Sequence, residues 1–308
     1  TAMARLRAQA DPGGAPAAAA ADAVLVFTAG KRDEDLAGIL RSIREICGTG
    51  NLAGCSGAGV LTEASEIEGE PAVAVLAIIS DSLRATSIYA KDLKGRDEEV
   101  GRQLGRVAQP LMGDNPLLLI FPDTLSCNPD LLLSGIREVL GPVPVVGGGA
   151  APYEGAGKTT HQFCGGVPLT NAVSGMLISG RIVSSVGITQ SCLPVGRPLR
   201  VTGSQGNAIK TLDGAPAIKA LLECLSRGPD HDPAVDTQRL ASHLFIAFPS
   251  GGAQDIARGQ YLVRNILGVD PDDGAIFVGR EMHEGDLISF ALRDPDGARE
   301  DLKAMLEE

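Results

Sequence analysis

Short apolar runs alternate along the chain with stretches in which apolar residues recur every three or four positions, which predicts strands interleaved with amphipathic helices. Residues 24–28 form a short apolar strand. Across 35–46, Leu36, Ile39, Leu40, Ile43 and Ile46 fall at helical spacing with charges between them, so this segment is a helix packed on a sheet. Residues 51–55 return as a strand and enter a glycine turn, Gly54-Cys55-Ser56-Gly57-Ala58-Gly59. Residues 71–80 and 83–91 read as two consecutive strands, most simply a hairpin.

The same order recurs farther on. Residues 117–121 are a strand, 130–140 a helix and 143–146 a strand, followed by the turn Gly147-Gly148-Gly149. Residues 171–179 and 181–190 then supply the paired strands. Ile43 faces Ile136, and Gly54 faces Gly147, each 93 positions on. In the strand pairs Ala72, Val73, Ile78 and Ile88 face Ala172, Val173, Ile178 and Ile188 at an offset of 100. Self-similarity of this kind reports one supersecondary unit and its copy. The fold class expected is α/β in the wider α+β sense. Strand–helix–strand plus hairpin units are internally duplicated at about 23–92 and 116–192, with helices packed on mixed sheets. A chance likeness between two such units is the alternative reading.

A polar turn at 203–207, a strand at 209–212 and a helix at 215–226 lead to the strong break at 228–233, where a domain boundary is expected. The first domain would then span 23–227 and the second 228–308. In the second, strands are expected at 244–248, 260–265, 275–280 and 286–292, with a closing helix at 295–306. Residues 1–22, an Ala/Gly/Pro-rich leader carrying Arg5 and Arg7, stand outside the fold, either as the remnant of a targeting segment or as an ordinary leader.

A formal charge of −11 repels nucleic acid and anionic bilayers, and no Lys/Arg cluster offsets it. No apolar run approaches the ~20 residues of a membrane-spanning helix. The six cysteines are scattered with no C-x-x-C pair, against a disulfide framework or a closed zinc site. A reducing, intracellular soluble compartment is expected, the cytoplasm first and a plastid or other organelle as the alternative.

Several motifs fail on inspection. The segment 155–160 resembles the end of a phosphate-binding loop, but Pro152 stands where that loop needs Gly. Ser56 misses the nucleophile elbow because Ala58 replaces its glycine. His161, His231, His243 and His283 have no metal-like spacing. His161 is the nominee for an axial haem ligand, with a hydrogen-bonded loop histidine as the plainer reading. Cys55 reads either as a thiol activated by turn amides or as a small turn residue. Arg264-Asn265, ending an apolar strand, reads as a carboxylate clamp or as an internal ion pair. No acid, base and nucleophile stand at recognisable spacing, so no enzyme, metal or cofactor is expected.

The chain resembles the FIST (F-box and intracellular signal transduction) family. The resemblance rests on Gly54-Cys55-Ser56, on Val146-Gly147-Gly148-Gly149-Ala150, on the run from Phe163 through Asn171-Ala172-Val173 to Val186-Gly187, and on Arg200-Val201-Thr202 through Leu212-Asp213-Gly214-Ala215-Pro216-Ala217. Tyr261-Leu262-Val263-Arg264-Asn265 and Glu284-Gly285-Asp286 through Ala298 resemble the beginning of the family's C-terminal half. The resemblance implies a sensory input module for small molecules such as amino acids, often joined to signalling or ubiquitin-ligase machinery, with some members resembling haem gas sensors. The family usually continues past the position of Glu308 into a Cys- and Gly-rich segment and a Gly-Glu motif, so 228–308 is expected as a partial C-terminal region. The function expected is a non-enzymatic small-ligand sensor whose glycine turns at Gly54, Cys55, Ser56, Gly57 and at Gly147, Gly148, Gly149 line a shared cleft. Glycine lets backbone amides approach the ligand there, and Arg264 and Asn265 are polar anchors. A subunit of a larger protein assembly and a haem sensor are the alternatives.

Overall fold

The computed structural model describes residues 20–30, 36–153, 159–187, 189, 191–225, 244–249, 251–252, 256, 261–293 and 295–307. Residues 1–19 of the expected leader, the 155–158 loop residues, the 228–233 break, His231 and His243 lie outside them. The end of that leader belongs to the fold, a correction to its expected bound at 22: Ala21 is buried with Val24 and Leu40 and donates its amide to the Cys47 carbonyl, and Asp22 donates to that of Ile78. Contacts divide the chain into two units, Thr1–Ser184 and Ser185–Glu308.

In the first unit β1 (Ala23–Ala29) is followed by α1 (Leu36–Cys47) and β2 (Leu52–Ser56), which lies parallel to β1. A small hairpin, β3 (Gly59–Leu61) and β4 (Glu66–Glu68), precedes β5 (Ala72–Ile78), which runs antiparallel on the other side of β1. Next come β6 (Leu83–Lys91) and α2 (Asp97–Ala108). Then the pattern repeats with β7 (Leu117–Pro122), α3 (Pro129–Leu140) and a parallel β8 (Val145–Gly147). The Asn128 side chain caps α3 by accepting from the Asp130 and Leu131 amides, and Pro129 opens its first turn. β9 (Gln162–Cys164), β10 (Val167–Leu169) and β11 (Ala172–Gly180) complete the unit.

Two sheets result, in the orders β10-β9-β2-β1-β5 and β6-β11-β7-β8. Within them β2-β1-β5 and β8-β7-β11 are alike in order and direction, one parallel and one antiparallel neighbour for each central strand. Leu36, Leu40 and Ile43 of α1 bury against Val24, Val26, Leu52 and Phe163. Val100 and Leu104 of α2, with Leu132 and Ile136 of α3, bury against Ile88, Leu118, Ile120 and Val173 of the second sheet. Between the sheets Ala23, Ala53 and Cys55 meet Phe121, Met176 and Ile178. The Phe27 and Phe121 rings pack edge to face there, 5.5 Å apart. The layers run helix, sheet, sheet, helix.

The strands expected as a hairpin do not pair with each other: β5 joins β1, and β6 joins β11 in the other sheet. The reason is burial. Beside β11, Ile88 and Ala90 of β6 enter the core under α2 and α3. The strand expected at 181–190 is also absent among the described residues, and the next strand begins at Cys192. β11 already holds β6 and β7 on its two edges, so a following strand has no edge to join.

The second unit comprises β12 (Cys192–Gln205), β13 (Ala208–Leu212), β14 (Ala215–Pro216), α4 (Ala217–Leu225), β15 (Leu244–Pro249), β16 (Tyr261–Val269), β17 (Ile276–Val278), β18 (Leu287–Arg293) and α5 (Pro295–Glu307). Among the described residues its pairings are all antiparallel. The first part of β12 pairs with β18 and its last part with β13, so the ladder β12-β18-β15-β16-β17-β13 returns to its start. Closure removes the open edges that a flat sheet leaves. Val201, Ile209, Ile246, Phe248, Ile276 and Phe290 form the core, with Ala217, Leu221 and Cys224 of α4 packed against it.

Candidate functional site

The C-terminal ends of the two parallel pairs, β1/β2 and β7/β8, carry the glycine turns predicted from sequence, and the fold brings the turns together. Ala151, just past the second turn, donates its amide to the Ser56 carbonyl at 3.0 Å. The Ser56 hydroxyl donates to the Ala151 carbonyl at 2.7 Å and accepts the His161 amide at 3.0 Å. The Ser56 amide donates in turn to the His161 carbonyl at 2.9 Å. One fully buried serine therefore ties three segments.

Around this knot lies a set of polar groups. The hydroxyl of Thr28, next to last in β1, is 2.6 Å from the Tyr153 hydroxyl, and the Tyr153 ring stacks on the His161 imidazole at 5.7 Å. Gln162, beside Cys55 in the ladder, donates its side-chain amide to the Thr160 hydroxyl at 2.8 Å. Its Oε1 is buried with no hydrogen-bond partner. Asp123, buried past the end of β7, accepts the Leu125 amide at 3.0 Å.

The nominated residues divide by exposure. Gly54, Cys55 and Ser56 lie in the wholly buried strand β2, Gly57 is half-buried, and Gly147, Gly148 and Gly149 are exposed. Gly54 and Gly147 have φ of +153° and +155°, and a Cβ would stand 1.8 Å from the Val26 carbonyl oxygen or 1.9 Å from that of Ile120. At these two positions the neighbouring strand by itself requires glycine. Several turn amides are also already used: Gly57 donates to Thr28, Gly148 to Ile120 and Ala150 to Pro122.

The Cys55 side chain faces the apolar space between the sheets, and burial pushes its thiol up to about 12. That environment disfavours the thiolate, the opposite of activation by turn amides. The His161 ring is engaged with Tyr153. Arg264 and Asn265 lie on β16 of the second unit, where Arg264 donates to the Val263 carbonyl at 3.1 Å. Among the described residues no group of three or more His, Cys, Asp or Glu side chains is arranged to hold a metal ion.

Sequence reasoning located the serine and both turns but missed Thr28, Tyr153, Thr160, Gln162 and Asp123. A signal was present for one of them: Tyr153 is one of only three tyrosines.

Glycine-cornered strand pairs in an α/β body, joined to a closed antiparallel barrel, define the class: a two-unit α/β protein whose buried polar knot couples two similar halves. The FIST N domain matches residues 22–215 and the FIST C domain residues 217–308, and the chain belongs to the FIST family of signal-transduction sensory domains, a non-catalytic family. It is similar to an uncharacterized protein of Mycobacterium tuberculosis, 29% identical over 262 residues that cover 83% of this chain and 64% of the relative. An uncharacterized protein of Mycobacterium bovis is 27% identical over 277 residues, 88% of this chain and 67% of its own length. The chain thus spans 64% of the length of the first of these relatives. Among the described residues no helix is long and apolar enough to cross a membrane.

Proposed function

We propose that the chain senses a small polar metabolite of the amino-acid type, bound without chemical change beside the knot at the C-terminal ends of β1, β2, β7 and β8. The observation that carries this reading is the reciprocal pair of hydrogen bonds between Ser56 and Ala151, which ties one glycine turn to the other. A ligand touching the exposed Gly147, Gly148 and Gly149 would feel the position of both halves at once. Ser56 then acts as the positioning residue and Thr28, Tyr153 and Gln162 as the polar lining.

Isothermal titration of the full chain against a panel of amino acids and related metabolites is the test. Binding that is lost in Ser56→Ala, with the circular dichroism spectrum unchanged, supports the reading. Silence across the panel in a folded protein overturns it.

A further inference from the structure

β5 is the outermost strand of its sheet. It pairs with β1 along its whole length in an unbroken register, and among the described residues no strand pairs with its other edge. Soluble proteins guard such edges with lysines, prolines, bulges or short length, because a row of free amides and carbonyls is a template for another strand. Ala72-Val73-Ala74-Val75-Leu76-Ala77-Ile78 has no charge and no proline. Leu76 is 55% exposed, and Ile79 just beyond the strand is 63% exposed.

The other half of the unit shows what this edge accepts. β11 stands to β7 as β5 stands to β1, and its corresponding edge carries β6, antiparallel from Leu83 to Lys91. The same edge of the same three-strand motif is therefore filled in one half and bare in the other.

We propose that the bare edge of β5 is an interface between two copies of this chain, each pairing its β5 with the other's, antiparallel about a two-fold axis. A second copy fits for two physical reasons. Whatever strand docks there must bring an unpaired edge of its own, and self-pairing satisfies both edges in one step and leaves none. The molecule carries a charge of −11, which opposes self-association, but β5 carries none, so no like charges stand opposite each other within the paired strands, and Glu70 and Asp81 lie beyond their ends.

The test is analytical ultracentrifugation of the full chain as wild type, as Leu76→Lys and as Leu131→Lys, a control at an exposed leucine of α3. A concentration-dependent dimer is expected, weakened roughly tenfold or more by the edge lysine and unchanged by the control. Hydrogen exchange at residues 72–78 should slow as concentration rises. Should Leu76→Lys fail to fold, Ile79→Lys makes the same test just outside the ladder. A monomer at all concentrations, a dimer indifferent to both edge lysines, or β5 amides that exchange equally fast at low and high concentration overturns the proposal.

Discussion

A glycine can be demanded by a ligand or by its own chain, and the two demands separate on substitution. Gly54 and Gly147 combine strongly positive φ with a neighbouring carbonyl less than 2 Å from any added Cβ. Gly54→Ala and Gly147→Ala should each lower stability by about 3 kcal/mol in urea titration, through displacement of the strand beside them. Gly148 has open space around its Cβ position, so Gly148→Ala should cost less than about 0.5 kcal/mol. An equal effect at all three positions would contradict this account. Both glycine turns were legible in the sequence. The reason for two of their glycines was not, because the Val26 and Ile120 carbonyls lie 28 and 27 residues upstream of the glycines they crowd. Cys55 was ambiguous for a similar reason: a turn amide and a core neighbour act oppositely on a thiol, and only burial decides between them.

Among elements, α2 and α3 pack with their backbones nearly touching. A Cβ on Gly101 would lie 2.3 Å from the Leu132 carbonyl oxygen, and one on Gly135 would lie 2.1 Å from that of Glu98. Small residues on both helices permit this approach, as ridges of larger side chains would hold the axes farther apart. Gly101→Ala and Gly135→Ala should each destabilise by roughly 2 kcal/mol. The double variant should cost less than the sum, since one separation of the helices relieves both clashes. Additive losses in chemical denaturation would argue against a shared contact. Helices α1, α3, α4 and α5 and most strands were visible in the sequence, including the recurrence of Ile43 at Ile136, whereas α2 was not expected. Strand partnership was not visible. Nothing in residues 71–91 says that the chain crosses to a second sheet, because the benefit comes from α2 and α3, which are farther along the sequence. Likewise the bend of β12 that closes the barrel shows only as register shifts in its ladders.

At the scale of the whole molecule the acidic surface sets a condition on everything else. A charge of −11 with an isoelectric point near 4.9 means that the folded chain repels itself at neutral pH. Raising sodium chloride from a few millimolar to about 150 mM should increase the melting temperature by about 2–5 °C through screening. A melting temperature that falls with salt would instead indicate that favourable ion pairs, such as Arg102 with Glu98 and Glu138, dominate the balance. The fold class and the family were legible from the chain alone. The buried polar knot was only half legible, because Thr28, Tyr153 and Gln162 are scattered in sequence and converge only when two sheets face each other.

The Phe27 and Phe121 rings occupy matching places in the two halves and rest against each other. A smaller side chain at one leaves its opposite number facing a void, so neither position is free to vary alone. The halves are bound by mutual obligation at this point as well as by backbone geometry, and a change tolerated in one must be answered in the other.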